Sequence, residues 1–560
     1  MSLSVTQRPE LIQRLRTEVF DLLIVGGGIT GAGIARDAAL RGLKVALIER
    51  GDFAIGTSSR STKLIHGGLR YLEMGDVALV FEAVRERQRL LLLAPHLARP
   101  QSFVLPVQQH VKHSVFKLDL GLTVYDMLAA GSGVMPHRAV RKKALLRMEP
   151  LLQAEHLSGG VRYFDAMTDD ARLVMANVRG AHEAGAVTLS QFEFVQPRLG
   201  KDAKVVGADV CDRRTGERLP VAARVVVTAA GPWTDEVMRR CKGNSPIPAL
   251  MPSKGVHVVV PRARLPLTHA VMMTSPIDGR VVFALPWPEA TVIGTTDTAY
   301  TGPLDEPACT HADAEYLINT TNGCLTATEQ PLQLSDIVST WAGIRPLVAQ
   351  AGHSVYKTSR EHLIVSDPHG FVAIAGGKLT TYRVMAEQTV DAALKLLPAT
   401  RAAECKPCET ITLPLPGATE FSSRVRPLEQ LQIELVRSEG QTESYARHLA
   451  RNYGSDALAV LEQSREEPQG DEPVIADLPW TWGELAWLTA HEVPLDLLDL
   501  TVRRTQLYYV AGERLLEAAD ALAARMCRWC GYSADTAAAM VQQLRDYVAV
   551  RRVGAPEAAA

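Results

Sequence analysis

The stretch "DLLIVGGGITGAGIARDAALRGLKVALIER", Asp21 to Arg50, constrains the fold more than any other part of the chain. Leu22 to Val25 read as a buried strand, Gly26-x-Gly28-x-x-Gly31 as a tight turn, Ala32 to Arg41 as a helix, and Val45 to Ile48 as a second strand ending in Glu49. Each glycine has a task. Gly26 permits the turn, Gly28 lets the backbone approach a pyrophosphate, and Gly31 lets helix and strand pack closely. Glu49 closes the second strand, where an acidic group can hold a ribose hydroxyl. Strand, turn, helix, strand and terminal acid together predict a βαβ unit that binds a dinucleotide.

A second glycine turn follows far along the chain, in "AIAGGKLTTYRVMAE", Ala373 to Glu387. An apolar strand leads into Gly376-Gly377-Lys378, and a helix opens after it. This is the composition of an anion-binding helix N-terminus, where free backbone N–H groups and the helix dipole meet negative charge. The spacing is not that of a nucleotide P-loop. Between the two turns lies "GTSSRSTKLIHGGLRYL", Gly56 to Leu72, dense in hydroxyl side chains and glycine. A nicotinamide enzyme would proceed to further βαβ units. This segment instead suits a second, extended part of a cofactor, with Ser58, Ser59 and Thr62 as donors to phosphate or ribitol oxygens. The cofactor expected is FAD.

The rest of the chain sets the bounds. Its 560 residues are 47% apolar, enough for a large core. A formal net charge of −2, from 60 basic and 62 acidic residues, gives no field for nucleic acid. The longest largely apolar stretches, such as Ala222 to Ala230 with Arg224 and Thr228 inside it, are strand-length and fall short of the ~20 residues a membrane-spanning helix needs. The N-terminal "MSLSVTQRPELIQRLRTEVF" lacks the apolar core of a signal peptide. Glu10 and Glu18 among Arg8, Arg14 and Arg16 argue against a transit peptide, so a short surface helix is expected. Two C-x-x-C pairs, Cys405/Cys408 and Cys527/Cys530, stand too far apart for a zinc ribbon, and no metal site is expected. The eight cysteines are read as mostly reduced core residues in a cytoplasmic setting.

Strands, glycine turns and amphipathic helices mix up to about residue 396, an α/β pattern. Proline-rich "LPATRAAECKPCETITLPLPG", Leu397 to Gly417, reads as a linker. Beyond it "RPLEQLQIELVR" and "DTAAAMVQQLRDYVAV" carry helical periodicity, with Ser533 a candidate N-cap. The expected fold is α/β: residues 1–396 as a Rossmann-type FAD-binding domain interleaved with a mixed-sheet substrate domain, 397–417 as linker, and 418–560 as an all-α C-terminal domain. No internal repeat is evident.

Ten ordered motifs carry a resemblance along most of the chain. They are "IVGGGITGAGIARDAALRGL", "TSSRSTKLIHGGLRYLE", "DDARLV", "AAGPW", "KGVHVVV", "IGTTDT", "GIRPL", "TSREH", "GGKLTTYR" and "LDLTVRRTQL". In them the chain resembles the FAD-dependent glycerol-3-phosphate dehydrogenases of the glycine-oxidase-like flavoprotein group. The resemblance implies oxidation of glycerol 3-phosphate to dihydroxyacetone phosphate by hydride transfer to flavin N5, with electrons passed to a membrane quinone. It extends the cofactor set to Ile29 and Thr30 in the first turn, to Arg50 after the second strand, to Thr57 and Lys63 in the hydroxyl segment, and to Gly231. At the second turn it adds Gly376, Gly377, Lys378, Leu379 and Thr380, facing the isoalloxazine.

The resemblance further implies a phosphate site of Arg70, Arg345, Arg360 and Lys378, with Tyr71 adding a hydroxyl. Several cations suit a phosphate with nearly two charges. Oxidation also requires loss of the hydroxyl proton, which a base of near-neutral pKa suits. The resemblance supplies two candidates, His66 in "LIHGG" and His257 in "GVHVV", with Arg345 an electrostatic holder of the developing alkoxide. Three departures stand out: Thr228 in "TAAGPW", the sequence "FDAM" before the paired aspartates, and Arg60 inside the cofactor loop. A soluble oxidase using oxygen, an amine or amino-acid oxidase on the same scaffold, and a non-catalytic flavoprotein are the alternatives. Quinone chemistry requires peripheral membrane contact, for which "HVKHSVFKLDLGLTVYDMLAAG", His110 to Gly131, is the candidate on the inner face of the cell membrane. A homodimer is left open.

Overall fold

The computed structural model describes residues 3–68, 76–108, 115–128, 135–155, 157–241, 249–349, 361–418 and 428–553. The expected strand at the start extends over Val19–Val25, and six of its seven residues are buried. Burial on both faces is what a parallel sheet demands, and it explains the unbroken apolar run. This strand lies between Val45–Glu49 on one side and Arg218–Thr228 on the other, all parallel. Phe371–Gly376 extends the parallel sheet beyond Arg218–Thr228, and Val187–Ser190 extends it beyond Val45–Glu49. The antiparallel strand His362–Asp367 closes one edge. The helix Ile29–Leu40 crosses between the first two strands and packs against the helices Asp170–Glu183 and Tyr382–Leu394.

A second, mixed sheet is threaded through the first in sequence. Near one edge of it Leu250–Pro261 is paired antiparallel with Ser339–Val348 along one side and with Ala290–Gly294 along the other. The order continues through Val281–Pro286, Ala270–Thr274, Ala98–Gln108 and Leu157–Thr168. The chain passes repeatedly from one sheet to the other, so the cleft between them is lined by residues remote in sequence.

The C-terminal part is helical, from Leu428–Arg437 to Ala534–Val550. Ser533 does occupy the N-cap position of the last helix, but its hydroxyl meets Thr536 Oγ1 at 3.1 Å instead of capping the backbone. The motif "LDLTVRRTQL" forms a buried helical turn over Asp499–Arg504. Arg504 donates to both carboxylate oxygens of Asp52 at 2.7 Å, and Arg503 Nε donates to Asp52 Oδ2 at 2.5 Å. A carboxylate three residues beyond Glu49 thus clasps the helical part to the first sheet.

Residues 397–417 lie strapped along the helix Ile29–Leu40. Arg36 donates to the carbonyls of Leu413 and Pro414, each at 2.9 Å, and Cys408 Sγ contacts Asp37 Oδ1 at 3.0 Å. Leu397 and Leu415 are buried beneath the strap. At the other end of the chain the expected surface helix forms over Arg8–Thr17 and buries Leu11 and Leu15. Among the described residues no helix is long and apolar enough to cross a membrane, and no group of metal-ligating side chains gathers.

Candidate active site

The main cleft begins at the first glycine turn. Gly26 adopts φ +112°, and a Cβ there would strike the Ala229 carbonyl. A Cβ on Gly31 would collide with the Gly26 carbonyl, so Gly31 serves helix–strand packing and does not itself line the cleft. Gly28, Ile29 and Thr30 do line it, at the start of the helix. Both oxygens of Glu49 hold the loop as well as facing the cleft. Oε2 accepts from Gly27 N–H at 2.7 Å and Oε1 from Gly51 N–H at 2.8 Å. Complete burial pushes the Glu49 carboxyl above its usual range.

The hydroxyl-rich segment wraps the same opening. Ser58 Oγ accepts from Ile29 N–H at 2.9 Å, joining it to the helix N-terminus. Thr57 donates to the Ile344 carbonyl at 2.5 Å, joining it to the second sheet. Thr57, Ser58, Arg60, Ser61 and Thr62 face the cleft. Lys63 and Ser59 do not. Lys63 has φ +57°, which turns its side chain away, and its buried ammonium pairs with Asp170. Ser59 lends its carbonyl to that ammonium at 3.2 Å. Asp170 Oδ2 also takes Ser61 Oγ–H at 2.6 Å and Ser61 N–H at 3.0 Å. The second aspartate of "DDARLV" therefore braces the loop from behind. Arg50 also lies outside the lining: its guanidinium stacks on Trp233 at 4.6 Å and pairs with Asp305. Gly231 and Trp233 line the cleft on that side, and Arg60 reaches the Asp305 carbonyl at 3.4 Å.

The far end of the cleft is made by the second glycine turn and the second sheet. Gly376 and Gly377 adopt φ +75° and +91°; a Cβ on Gly376 would strike the Glu361 carbonyl, and one on Gly377 the Met385 side chain. Lys378, Leu379 and Thr380 follow, in a short turn before the helix Tyr382–Leu394, and all line the cleft. Thr380 Oγ1 accepts from His66 N–H at 3.1 Å and lies 3.2 Å from the His66 carbonyl, which brings the two glycine-rich segments together. His66 itself lines the cleft.

Opposite stand His257 and Arg345, on adjacent strands. Arg345 faces Ser253 in register, and His257 faces Trp341. Arg345 Nη2 donates to Thr295 Oγ1 at 2.8 Å and to the Thr296 carbonyl at 3.1 Å, and Nη1 lies 3.4 Å from Asp297 Oδ1. Asp297 in turn accepts from Ser253 Oγ at 2.5 Å. Gly255 is needed here because a Cβ would strike the Arg345 guanidinium. The His257 ring stacks on Trp341 with centroids 4.8 Å apart, and its Nε2 is 3.0 Å from Thr62 Oγ1. Burial, aided by the nearby cations Arg345 and Lys63, pushes the His257 imidazolium well below its ordinary pKa, so the ring is neutral.

The structure thus places His66, His257, Arg345 and Lys378 on the lining of one cleft. Arg70, Tyr71 and Arg360 lie outside the described residues. Thr295, Asp297, Ser253, Trp341 and Asp170 were not singled out from the sequence as site residues. Thr295, Asp297 and Asp170 were signalled only by membership of "IGTTDT" and "DDARLV", and Ser253 and Trp341 by no motif, because each acts on a partner distant along the chain.

A long cleft with a helix N-terminus and glycine cradle at one end, hydroxyls along its wall and a second cradle at the other has the donors that a dinucleotide flavin requires. The comparisons agree. A family model described as FAD dependent oxidoreductase matches residues 21–383, and one described as C-terminal domain of alpha-glycerophosphate oxidase matches 408–537. The chain is 38% identical over 551 residues to "Glycerol-3-phosphate dehydrogenase 2" of Mycobacterium tuberculosis, covering 98% of this chain and 91% of that one. It is 36% identical over 536 residues to "Aerobic glycerol-3-phosphate dehydrogenase" of Staphylococcus aureus, covering 95% of each. The solved structure of the glycerol-3-phosphate dehydrogenase from Bacillus halodurans complexed with FAD superposes with TM-score 0.80 at 31% identity, covering 100% of this chain and 99% of that one. The mixed α/β architecture with its helical C-terminal part is that of this group, and FAD is the cofactor. The chain belongs to the FAD-dependent oxidoreductases, within the glycerol-3-phosphate dehydrogenase family.

Proposed function

We propose that the chain oxidises glycerol 3-phosphate at C2 to dihydroxyacetone phosphate and passes the electrons to a membrane quinone. The observation that carries this reading is that His66, His257, Arg345 and Lys378 all line the one cleft that both glycine turns border. FAD, when bound, supplies the acceptor for the hydride that leaves C2. The residues of the chain then do three things. Lys378 meets the phosphate, joined by Arg70, Tyr71 and Arg360 of the family's motifs. Arg345, its guanidinium oriented by Thr295 and Asp297, holds the oxygen on which negative charge develops. A histidine takes the hydroxyl proton. Burial beside Arg345 and Lys63 lowers the His257 pKa, and its Nε2 is already engaged with Thr62 Oγ1 at 3.0 Å, so it is the poorer proton acceptor. His66 is therefore the proton acceptor in this reading, and His257 a neutral hydrogen-bonding group beside Arg345.

Residues 1–396, 397–417 and 418–560 are read as the interleaved domain, the linker and the helical domain. Membrane contact is assigned to the helix Val115–Leu128 and its neighbour Val77–Leu93, which pack together. The first buries Leu122 and Tyr125 but exposes Val124 and Met127; the second exposes Val77, Phe81 and Leu92. His110, Lys112 and His113 of the expected basic segment lie outside the described residues.

Anaerobic titration of the yellow holoenzyme tests the chemistry. Glycerol 3-phosphate should bleach the flavin band while glycerol leaves it; no bleaching refutes the substrate. Flotation with anionic vesicles tests the acceptor side. Wild type should float, and Phe81→Glu/Met127→Glu should not. Protein that ignores vesicles and turns over rapidly with oxygen refutes the quinone reading in favour of an oxidase, the activity named in the C-terminal family model.

A further inference from the structure

We propose that Tyr125 is a positioning residue for the reaction, its hydroxyl fixing the His66 turn through the Gly67 amide. The inference rests on the reading of His66 as part of the reacting site. Tyr125 belongs to the helix Val115–Leu128, and none of its atoms lines the cleft. Its side chain runs inward, is 1% exposed, and ends in a buried polar cluster. The hydroxyl donates to Asp165 Oδ1 at 2.7 Å, receives Arg87 Nη1 at 3.0 Å, and receives Gly67 N–H at 3.0 Å. Arg87 also pairs with Asp165. Asp165 fixes which way the hydroxyl proton points, leaving the oxygen lone pairs for the two donors. Burial and the Asp165 charge push the phenol well above its ordinary pKa, so this polarity holds throughout the working range.

Two further observations make this a clamp on the site and not a mere core contact. A Cβ on Gly67 would strike the Tyr125 hydroxyl and ring as well as Val84, so the turn is pressed directly onto the phenol. On the opposite side Thr380 Oγ1 contacts both the N–H and the carbonyl of His66. The backbone of residues 66 and 67 is thus gripped from the second glycine turn on one side and from Tyr125 on the other. With the main chain fixed at both residues, the imidazole has only its own side-chain torsions left to explore, and a misplacement of the reacting group is costly to rate. The helix carrying Tyr125 is itself pinned, since His137 Nδ1 meets Asp126 Oδ2 at 2.7 Å.

The test compares the holoenzymes of Tyr125→Phe, His66→Asn and the double variant by anaerobic rapid mixing with glycerol 3-phosphate. Tyr125→Phe keeps the ring and should retain FAD through gel filtration, while the rate of flavin reduction falls about five- to ten-fold, the worth of one neutral hydrogen bond. Reoxidation should be unchanged. Because the hydroxyl acts through His66, Tyr125→Phe should add no further loss in the His66→Asn background. If Tyr125→Phe does not accumulate with FAD, Tyr125→3-fluorotyrosine, which keeps the hydroxyl and its partners but makes the oxygen a poorer acceptor for the Gly67 amide, is read against His66→Asn in the same way. A Tyr125→Phe enzyme reduced at the wild-type rate, or one whose loss simply adds to that of His66→Asn, overturns the inference while a slow His66→Asn preserves the site. A His66→Asn enzyme reduced at the wild-type rate removes His66 from the site, and this inference with it.

Discussion

Asp52→Asn is the substitution whose cost the structure fixes most directly. Asp52 is 0% exposed and accepts from Arg504 twice and from Arg503 once, while Arg503 also pairs with Asp499. The arginines hold the Asp52 carboxyl below its usual range, against the cost of burial. The asparagine keeps the shape but leaves two buried guanidinium groups facing one carboxylate. Breaking a buried pair by removing one partner costs about 3–5 kcal/mol. Asp499 recovers part of this. Burial, with the charges of Asp496 and Asp52, holds its carboxyl well above the usual range, and loss of the Asp52 charge makes its ionisation easier. The lower end, about 3 kcal/mol, is therefore expected. A chain of this size does not unfold in one step, so the local opening is the quantity to measure. Amide exchange of residues 499–504 in the holoenzyme should accelerate by about a hundred-fold, since each 1.4 kcal/mol is a factor of ten. Arg16→Ala, which breaks an exposed pair with Glu217, serves as control and should leave that exchange unchanged. Exchange in Asp52→Asn within three-fold of wild type (roughly 0.6 kcal/mol) would refute the clasp.

Gly377→Ala forces a side chain into φ +91° and against Met385, so FAD should bind roughly ten-fold more weakly; undiminished flavin after gel filtration at low concentration contradicts the strained cradle. Lys378→Ala should raise the apparent KM for glycerol 3-phosphate about ten-fold or more with FAD retained, the worth of one charge-assisted contact, and an unchanged KM removes Lys378 from the phosphate. His96 is buried among Arg172, Arg179 and Arg99, and burial above all lowers its pKa to about 3. The unfolded chain takes up that proton near pH 6.5 while the native state does not, so His96 supports the fold fully above about pH 6.5 and progressively less as pH falls toward 3. His96→Gln should flatten the loss of amide-exchange protection around residues 94–98 between pH 6.5 and 4.5, taken relative to intrinsic exchange, and an unaltered slope would show that His96 is not the titrating group.

What was legible in the sequence is what the chain does locally. The βαβ unit reads directly because strand, glycine turn, helix and acid lie within Asp21 to Arg50, and each glycine's task is set by its neighbours. The second glycine turn reads for the same reason. Lys63 shows the limit. Sequence places it in a cofactor loop, but a single positive φ turns its ammonium toward Asp170, across 107 residues of chain. Arg345 was visible as a cation in a motif; that Thr295, Asp297 and Ser253 orient it depends on strand register between Leu250–Pro261 and Ser339–Val348, which no local pattern encodes.

The same reasoning explains why the C-terminal motif could be recognised and not interpreted. "LDLTVRRTQL" contains two adjacent arginines, and adjacent residues on a regular helix diverge by about 100°. They would not be expected to share a partner. Over Asp499–Arg504 the backbone is wound more loosely than an α-helix, and both guanidiniums reach the one carboxylate of Asp52. The Asp52 backbone lies just beyond Glu49 and Gly51, whose contacts shape the cofactor turn. The arginine pair thus fixes the end of the second strand from the far part of the chain. A residue pattern tells which groups are available for such a clasp; only the fold, by bringing positions 451 and 452 residues apart into contact, tells what they clasp.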